Sequence, residues 1–376
     1  MGYRLSQHAP AEWWAALQSG ARAALLSPWW AASVLGADKS FVDNPLLGSP
    51  RLNAWGLHRW RVYTAHVLAA RRRARLTDLL DGMDASTFER NGFIIKRNVL
   101  PDDEFQQLRR QVLGHRAPAR ERVHGDTVTR HIAVNPGLLR AAPGLAALLQ
   151  GPLWNGLTRY VAACDRAPMA CVQSVQTHAT LGDRDPQTHL HADTFHPTMR
   201  AWYFLTDVGN DDSPFCYVPG SHRLTPARLA WEHERSLRGP GQGDRHAARG
   251  SAHIDRNHLA ALGLGHPARL PVPANTLIVA DTFGFHKQAR ARRPTMRIEV
   301  WARDRPRPFL PGPTDAALDL LGLRDHRVDL HWALRDLAGH LGAGRNPWQR
   351  RGLLAPDAPS PPGLRPVPED HSRHGA

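Results

Sequence analysis

His189-Leu-His-Ala-Asp-Thr-Phe-His-Pro-Thr-Met-Arg-Ala-Trp-Tyr-Phe-Leu-Thr-Asp207 is the stretch from which the rest of the chain can be read. It carries a His-x-Asp pair, His191 and Asp193, at the end of one expected strand, and the apolar run Ala201 to Leu205 reads as the next strand. Residues i and i+2 of a strand share a face, so this pair can grip one ion from one side. Two such ligands call for a third from elsewhere. The best candidate is His286 in Asp281-Thr-Phe-Gly-Phe-His-Lys-Gln288, just after the apolar run Thr276 to Ala280. Two imidazoles and one carboxylate make the facial triad that holds non-haem Fe(II) and leaves coordination positions open.

The company of these residues strengthens the reading. Arg297 lies eleven residues after His286 in the alternating run Pro294-Thr-Met-Arg-Ile-Glu-Val-Trp301. A guanidinium there can take the far end of a dicarboxylate in a two-pronged, charge-assisted bond. Between the two halves sits Tyr217-Val-Pro-Gly-Ser-His-Arg223, a turn built on Pro219 and Gly220. Together with Trp202 to Val208 and the segment Phe88 to Glu104, these motifs resemble the phytanoyl-CoA dioxygenase family of Fe(II)/2-oxoglutarate oxygenases over residues 84–305.

That resemblance implies that His191, Asp193 and His286 bind Fe(II) and are catalytic. It gives Arg297 the distal carboxylate of 2-oxoglutarate and places Trp202 at the border of that pocket, with Gln173 as a further co-substrate contact. The implied reaction consumes O2, with ascorbate as a reductant, and hydroxylates an unactivated C–H of a small-molecule, acyl or lipid-linked substrate, releasing succinate and CO2. Relatives that halogenate lack the carboxylate, so Asp193 favours hydroxylation. Gln288 departs from the family, which often has a small or hydroxyl residue at that position. Rivals remain at each position. His189 and His196 flank the motif without a carboxylate two residues on, and Arg290, Arg292 and Arg293 compete with Arg297 from a turn. Ser174 and Gln176 compete with Gln173, because the facing parity of their strand is open. The alternative to an enzyme is a non-catalytic jelly-roll binding or scaffold protein.

The strand count and turn-rich spacing fit a mainly β fold with flanking helices, a double-stranded β-helix of the jelly-roll, cupin-like type. Residues 1–80 form a Trp- and Arg-rich helical extension, with a helix expected from Leu57 to Leu80. Residues 81–310 form the oxygenase domain, in which 231–258 lacks apolar periodicity and reads as a lid or substrate loop. Residues 311–350 are C-terminal helices, and 351–376 a disordered, proline-rich tail.

With 376 residues the chain can bury a large core, and its 42% hydrophobic content is that of a globular protein. Three unpatterned cysteines, Cys164, Cys171 and Cys216, argue for a reducing compartment. No secretory signal and no membrane span are read, so the expected location is cytoplasmic. The net charge of +14 would suit nucleic acid, but no basic-aromatic recognition motif accompanies it and no nucleic-acid partner is expected. A basic, tryptophan-bearing extension can lie on the inner face of a membrane. The preferred reading is that its rings pack on the barrel while its arginines face water. The oligomeric state is left open.

Overall fold

The structure, a computed structural model, describes residues 28–360 apart from 181–184, 242–244, 311–314 and 342–345. Its strands form two antiparallel sheets. The larger runs in the order β1 (Phe93–Arg97), β10 (Thr276–Asp281), β6 (Met199–Phe204), β12 (Thr295–Asp304), β4 (Met169–Thr177), β3 (Thr127–Ala133), β2 (Ala117–His124) and β13 (Gln349–Leu354). The smaller runs in the order β8 (Ala252–His253), β5 (His191–Ala192), β11 (His286–Gln288), β7 (Phe215–Tyr217) and β9 (Ala268–Leu270). From β4 to β7, and again from β9 to β12, successive core strands alternate between the two sheets. That winding is a double-stranded β-helix, the jelly-roll core expected from the sequence.

The two-residue period of the strands gives the larger sheet two different faces. On the outer face Ile298, Val300 and Ala302 of β12 join Val172 of β4 and Tyr203 of β6. They pack against Phe88, Phe105, Leu108 and Trp154 from the helices Gly82–Asn91, Asp102–Leu113 and Pro152–Ala162. On the inner face Trp202 and Phe204 of β6 and Ile278 of β10 meet Phe215 and Tyr217 of the smaller sheet. The inner face of β12 is different. There the odd-numbered positions bring Arg297, Glu299, Trp301 and Arg303 into the barrel, and all but Glu299 line its cavity.

Several expectations need correction. Residues 351–360 are not a disordered tail. Gln349–Leu354 forms β13 on the edge of the larger sheet, and beyond it Ser174 Oγ donates to the Pro356 carbonyl at 2.5 Å. An edge strand needs only backbone partners on one side, so a weak apolar pattern suffices. Residues 361–376 lie outside the described residues.

The 231–258 insert is not a plain loop. Its first part belongs to the helix Pro226–Arg238, which buries Trp231, Glu232 and Ser236, and its last part supplies β8. The apolar period was masked because this helix buries charges rather than leucines. The Glu232 carboxylate takes Arg228 and Arg235, each at 3.0 Å, and faces His58 at 3.4 Å. Burial alone would raise the Glu232 pKa, but the two guanidinium groups outweigh it and hold the carboxyl well below its usual range.

The extension packs on the barrel, with its side-chain roles reversed. The helix Leu57–Ala74 lies against the helix Pro226–Arg238, yet Trp29 and Trp55 remain 70% and 84% exposed. The arginine expected in water is the anchor instead. Arg61, 1% exposed, donates to the carbonyls of Val34, Gly36 and Asp38 and stands over the Phe195 ring. Arg73 likewise donates to the carbonyls of Tyr160 and Val161. Guanidinium groups replace a helix's missing apolar stripe by satisfying loop carbonyls that would otherwise be buried unpaired. Trp13 and Trp14 lie outside the described residues. No helix among the described residues is long and apolar enough to cross a membrane.

Candidate metal centre and co-substrate pocket

The two histidines meet through strand register. In the smaller sheet β11 pairs with β5 so that His286 stands directly opposite His191, and the ring centroids are 4.6 Å apart. Asp193 follows the end of β5, its amide donating to the Thr282 carbonyl at 2.9 Å. Its Oδ1 lies 3.6 Å from His191 Nε2 and 3.7 Å from His286 Nε2. The three ligand atoms fall within 4.8 Å of one another, the size of a single-ion site.

The surroundings set the histidines up as ligands. His191 Nδ1 bonds to the His189 carbonyl at 2.8 Å, and His286 Nδ1 to the Gly284 carbonyl at 2.9 Å. Each ring therefore donates through Nδ1 and turns Nε2, lone pair free, toward Asp193, as metal-bound imidazoles do. His286 Nε2 is buried and has no hydrogen-bond partner, a cost that a metal bond would remove. Burial, then the nearby His191, pushes the His286 pKa down to about 3, so the ring stays neutral. Burial opposes ionisation of Asp193, but Arg200, whose Nη2 lies 2.7 Å from Oδ2, leads the charges that hold the carboxyl well below its usual range. Gly284 has no room for a side chain: a Cβ there would stand 1.8 Å from the Tyr217 hydroxyl oxygen. The donor set and its geometry fit a divalent cation such as Fe(II).

Beside the triad, a cavity of about 200 Å³ is lined by His191, His286, Trp202, Gln173, Gln288 and Arg297, among others. All the residues expected to border the co-substrate converge on it. Two are committed elsewhere. Arg297 Nε lies 2.6 Å from Glu299 Oε2, and its Nη1 donates to the Ser213 carbonyl at 2.7 Å. The Gln173 amide nitrogen donates to Glu299 Oε1 at 2.7 Å, and its oxygen meets His131 Nε2 at 2.7 Å. Gln173 thus orients Glu299 rather than offering free donors. Strand parity settles its rivals, because Ser174 and Gln176 turn to the outer face and bond to Pro356 and Ser360. Gln288 bridges loosely to Gln187 at 3.3 Å.

The flanking candidates fall away from the triad. His189 contributes its carbonyl, and His196 is buried against Phe195 with Nδ1 on the Pro197 carbonyl. Arg292 and Arg293 pair with Asp211 and Asp212, and Arg290 is exposed. Sequence reasoning missed Glu299, His131, Lys39 and Arg200. Glu299 was visible as the inward neighbour of Arg297 at i+2, whereas the others come from distant segments.

A jelly roll with a His-Asp-His triad beside a buried arginine defines the class, that of the Fe(II)/2-oxoglutarate-dependent oxygenases. Residues 88–252 match the family model described as phytanoyl-CoA dioxygenase (PhyH). The triad's second histidine, His286, and Arg297 lie beyond the matched residues and join the site through β11 and β12. Among solved structures, the chain is similar to the epimerase SnoN, crystallised with Fe3+, alpha-ketoglutarate and nogalamycin RO. The identity is 19%, with 61% of this chain and 83% of that chain covered and a TM-score of 0.40. It is also similar to HygX from Streptomyces hygroscopicus with nickel, 2-oxoglutarate and hygromycin B bound. There the identity is 15%, the coverage 60% and 86%, and the TM-score 0.38. For EctD from S. alaskensis with bound Fe the values are 15%, 60% and 76%, and 0.37. No curated protein matches.

Proposed function

We propose that the protein is an Fe(II)/2-oxoglutarate-dependent hydroxylase of a small molecule. His191, Asp193 and His286 would hold the iron, and Arg297, bordered by Trp202, the distal carboxylate of 2-oxoglutarate. The observation that carries the reading is the buried, partnerless Nε2 of His286 turned toward the Asp193 carboxylate. Bound iron with 2-oxoglutarate and O2 would supply oxidising power, converting the keto acid to succinate and CO2 and placing one oxygen atom into a C–H bond, with ascorbate keeping the iron reduced.

The chain's own residues do the positioning. The His189 and Gly284 carbonyls fix the imidazole tautomers, and Arg200 keeps Asp193 ionised and aimed. Glu299 and the Ser213 carbonyl hold Arg297 in place, so an incoming carboxylate would meet a guanidinium already oriented. Trp202, 4.5 Å from Phe215, walls the pocket against water.

The test is anaerobic titration with Fe(II) and 2-oxoglutarate, followed by succinate formation in air. One equivalent of iron should bind, and Asp193→Ala should lower succinate formation by at least about a thousandfold, as expected when a metal ligand is lost. Binding unchanged in Asp193→Ala would sink the assignment.

A further inference from the structure

Above the triad a second cavity, of about 500 Å³, opens toward solvent. Its charge is one-sided. Lys39, Arg122, Arg200, Arg303 and Arg305 all line it. Among the described residues two carboxylates face them, and both are spoken for. Asp193 is the triad's own ligand, and Asp304 is bound by Arg166 at 2.6 Å.

Backbone register makes this arrangement costly. β12 and β6 pair so that Arg303 stands directly opposite Arg200, with both side chains on the cavity side. Like charges directly across a ladder repel. Arg305 continues the same side beyond the strand. Burial first, then Arg200, disfavours the protonated form of Arg303, and at Arg305 burial and Arg200 act against the favourable charge of Asp193. Neither Arg303 nor Arg305 has an ion-pair partner among the described residues, and both are exposed into the cavity. Among the described residues Arg303 meets His331 Nε2 at 3.4 Å and the nearby Trp301 ring. Lys39, mostly enclosed, points its ammonium at the Asp193 carbonyl and at Ser251 Oγ, the latter at 3.0 Å.

We propose that the substrate carries an anionic group, a phosphate or a carboxylate, held by Arg303 and Arg305 at the mouth of the metal site. Two guanidinium forks converging on one cavity suit a planar or tetrahedral oxyanion. Arg200 ties this site to the reaction centre, because it lines the anion cavity while bonding the carboxylate that faces the metal position. The remainder of the substrate would then lie between the arginines and the triad. The proposal rests on the oxygenase reading for the fate of the substrate, but not for its binding.

The experiment separates the two. Metal-free, full-length protein is titrated calorimetrically with phenyl phosphate, benzoate and benzyl alcohol, and the iron and 2-oxoglutarate titration is run in parallel. At least one anion should bind, weaken with added salt, and lose about tenfold or more in affinity in Arg303→Gln and in Arg305→Gln. Benzyl alcohol should not bind. The better anion identifies phosphate or carboxylate as the recognised group. Binding unchanged in both variants, or lost only in Arg297→Ala, would overturn the proposal by moving the anion elsewhere, as would equal binding of the alcohol. Failure of the iron titration would remove the oxygenase reading and leave the anion result standing. Retention of the parent melting temperature in the glutamine variants makes their affinities interpretable.

Discussion

Two ends of one strand face hold arginines in opposite circumstances. At the closed end of β12, Arg297 is 5% exposed and clasped by Glu299, itself 0% exposed. At the open end, Arg303 and Arg305 are exposed at the cavity with no ion-paired carboxylate among the described residues. A buried charge must have its counterion in the protein. A charge at a cavity mouth can leave that role to water or to a ligand. The closed end is therefore satisfied from within the protein, whereas the open end leaves its charge to solvent or to the anion proposed above.

The contrast can be tested by substitution. Arg297→Ala should have the largest effect on stability. It leaves the Glu299 carboxylate buried without its cation, at a cost of about 3–5 kcal/mol, read as a fall in the urea midpoint. An unchanged midpoint would break the comparison, since the pair would then be no tighter than the mouth. Glu299→Gln is gentler, because Arg297 keeps the Ser213 carbonyl and an amide oxygen. A cost of about 1–3 kcal/mol is expected. The freed guanidinium should also bind 2-oxoglutarate more tightly, read as a lower half-saturation concentration in the succinate assay.

Lys39 lines the open cavity, its ammonium on the carbonyl of Asp193, the proposed metal ligand. Burial first, then Arg305, pushes its pKa down to about 7. Lys39→Met should weaken iron binding by roughly tenfold, the low end for a supporting contact to a metal ligand, as measured by competition with a chelator. The smallest change in stability should come from Arg303→Ala, within about 0.5 kcal/mol of the parent. It should fall on the stabilising side because the repulsion with Arg200 is relieved, and thermal unfolding checks the sign.

The legible part of this protein was local. His191, Asp193, His286 and Arg297 stood out because each sits in a short motif whose spacing has chemical meaning. The apolar runs Ala201 to Leu205 and Thr276 to Ala280 also announced the strands β6 and β10, where inward and outward positions both carry apolar side chains. The helix Pro226–Arg238 was hidden by its content, with Arg228, Glu232 and Arg235 buried as a network rather than a leucine stripe. The strand β13 was hidden by its place, since an edge strand buries too little to leave a pattern.

The sequence by itself determined the candidate ligand types, the order of the motifs and the jelly-roll fold class, because these depend on spacing along the chain. Tertiary structure alone decided that His191 faces His286 across β5 and β11, that Glu299 occupies Arg297, and that Arg200 stands against Arg303. Those facts are matters of register between strands far apart in sequence. A one-residue slip would turn each of these side chains to the other face of its sheet.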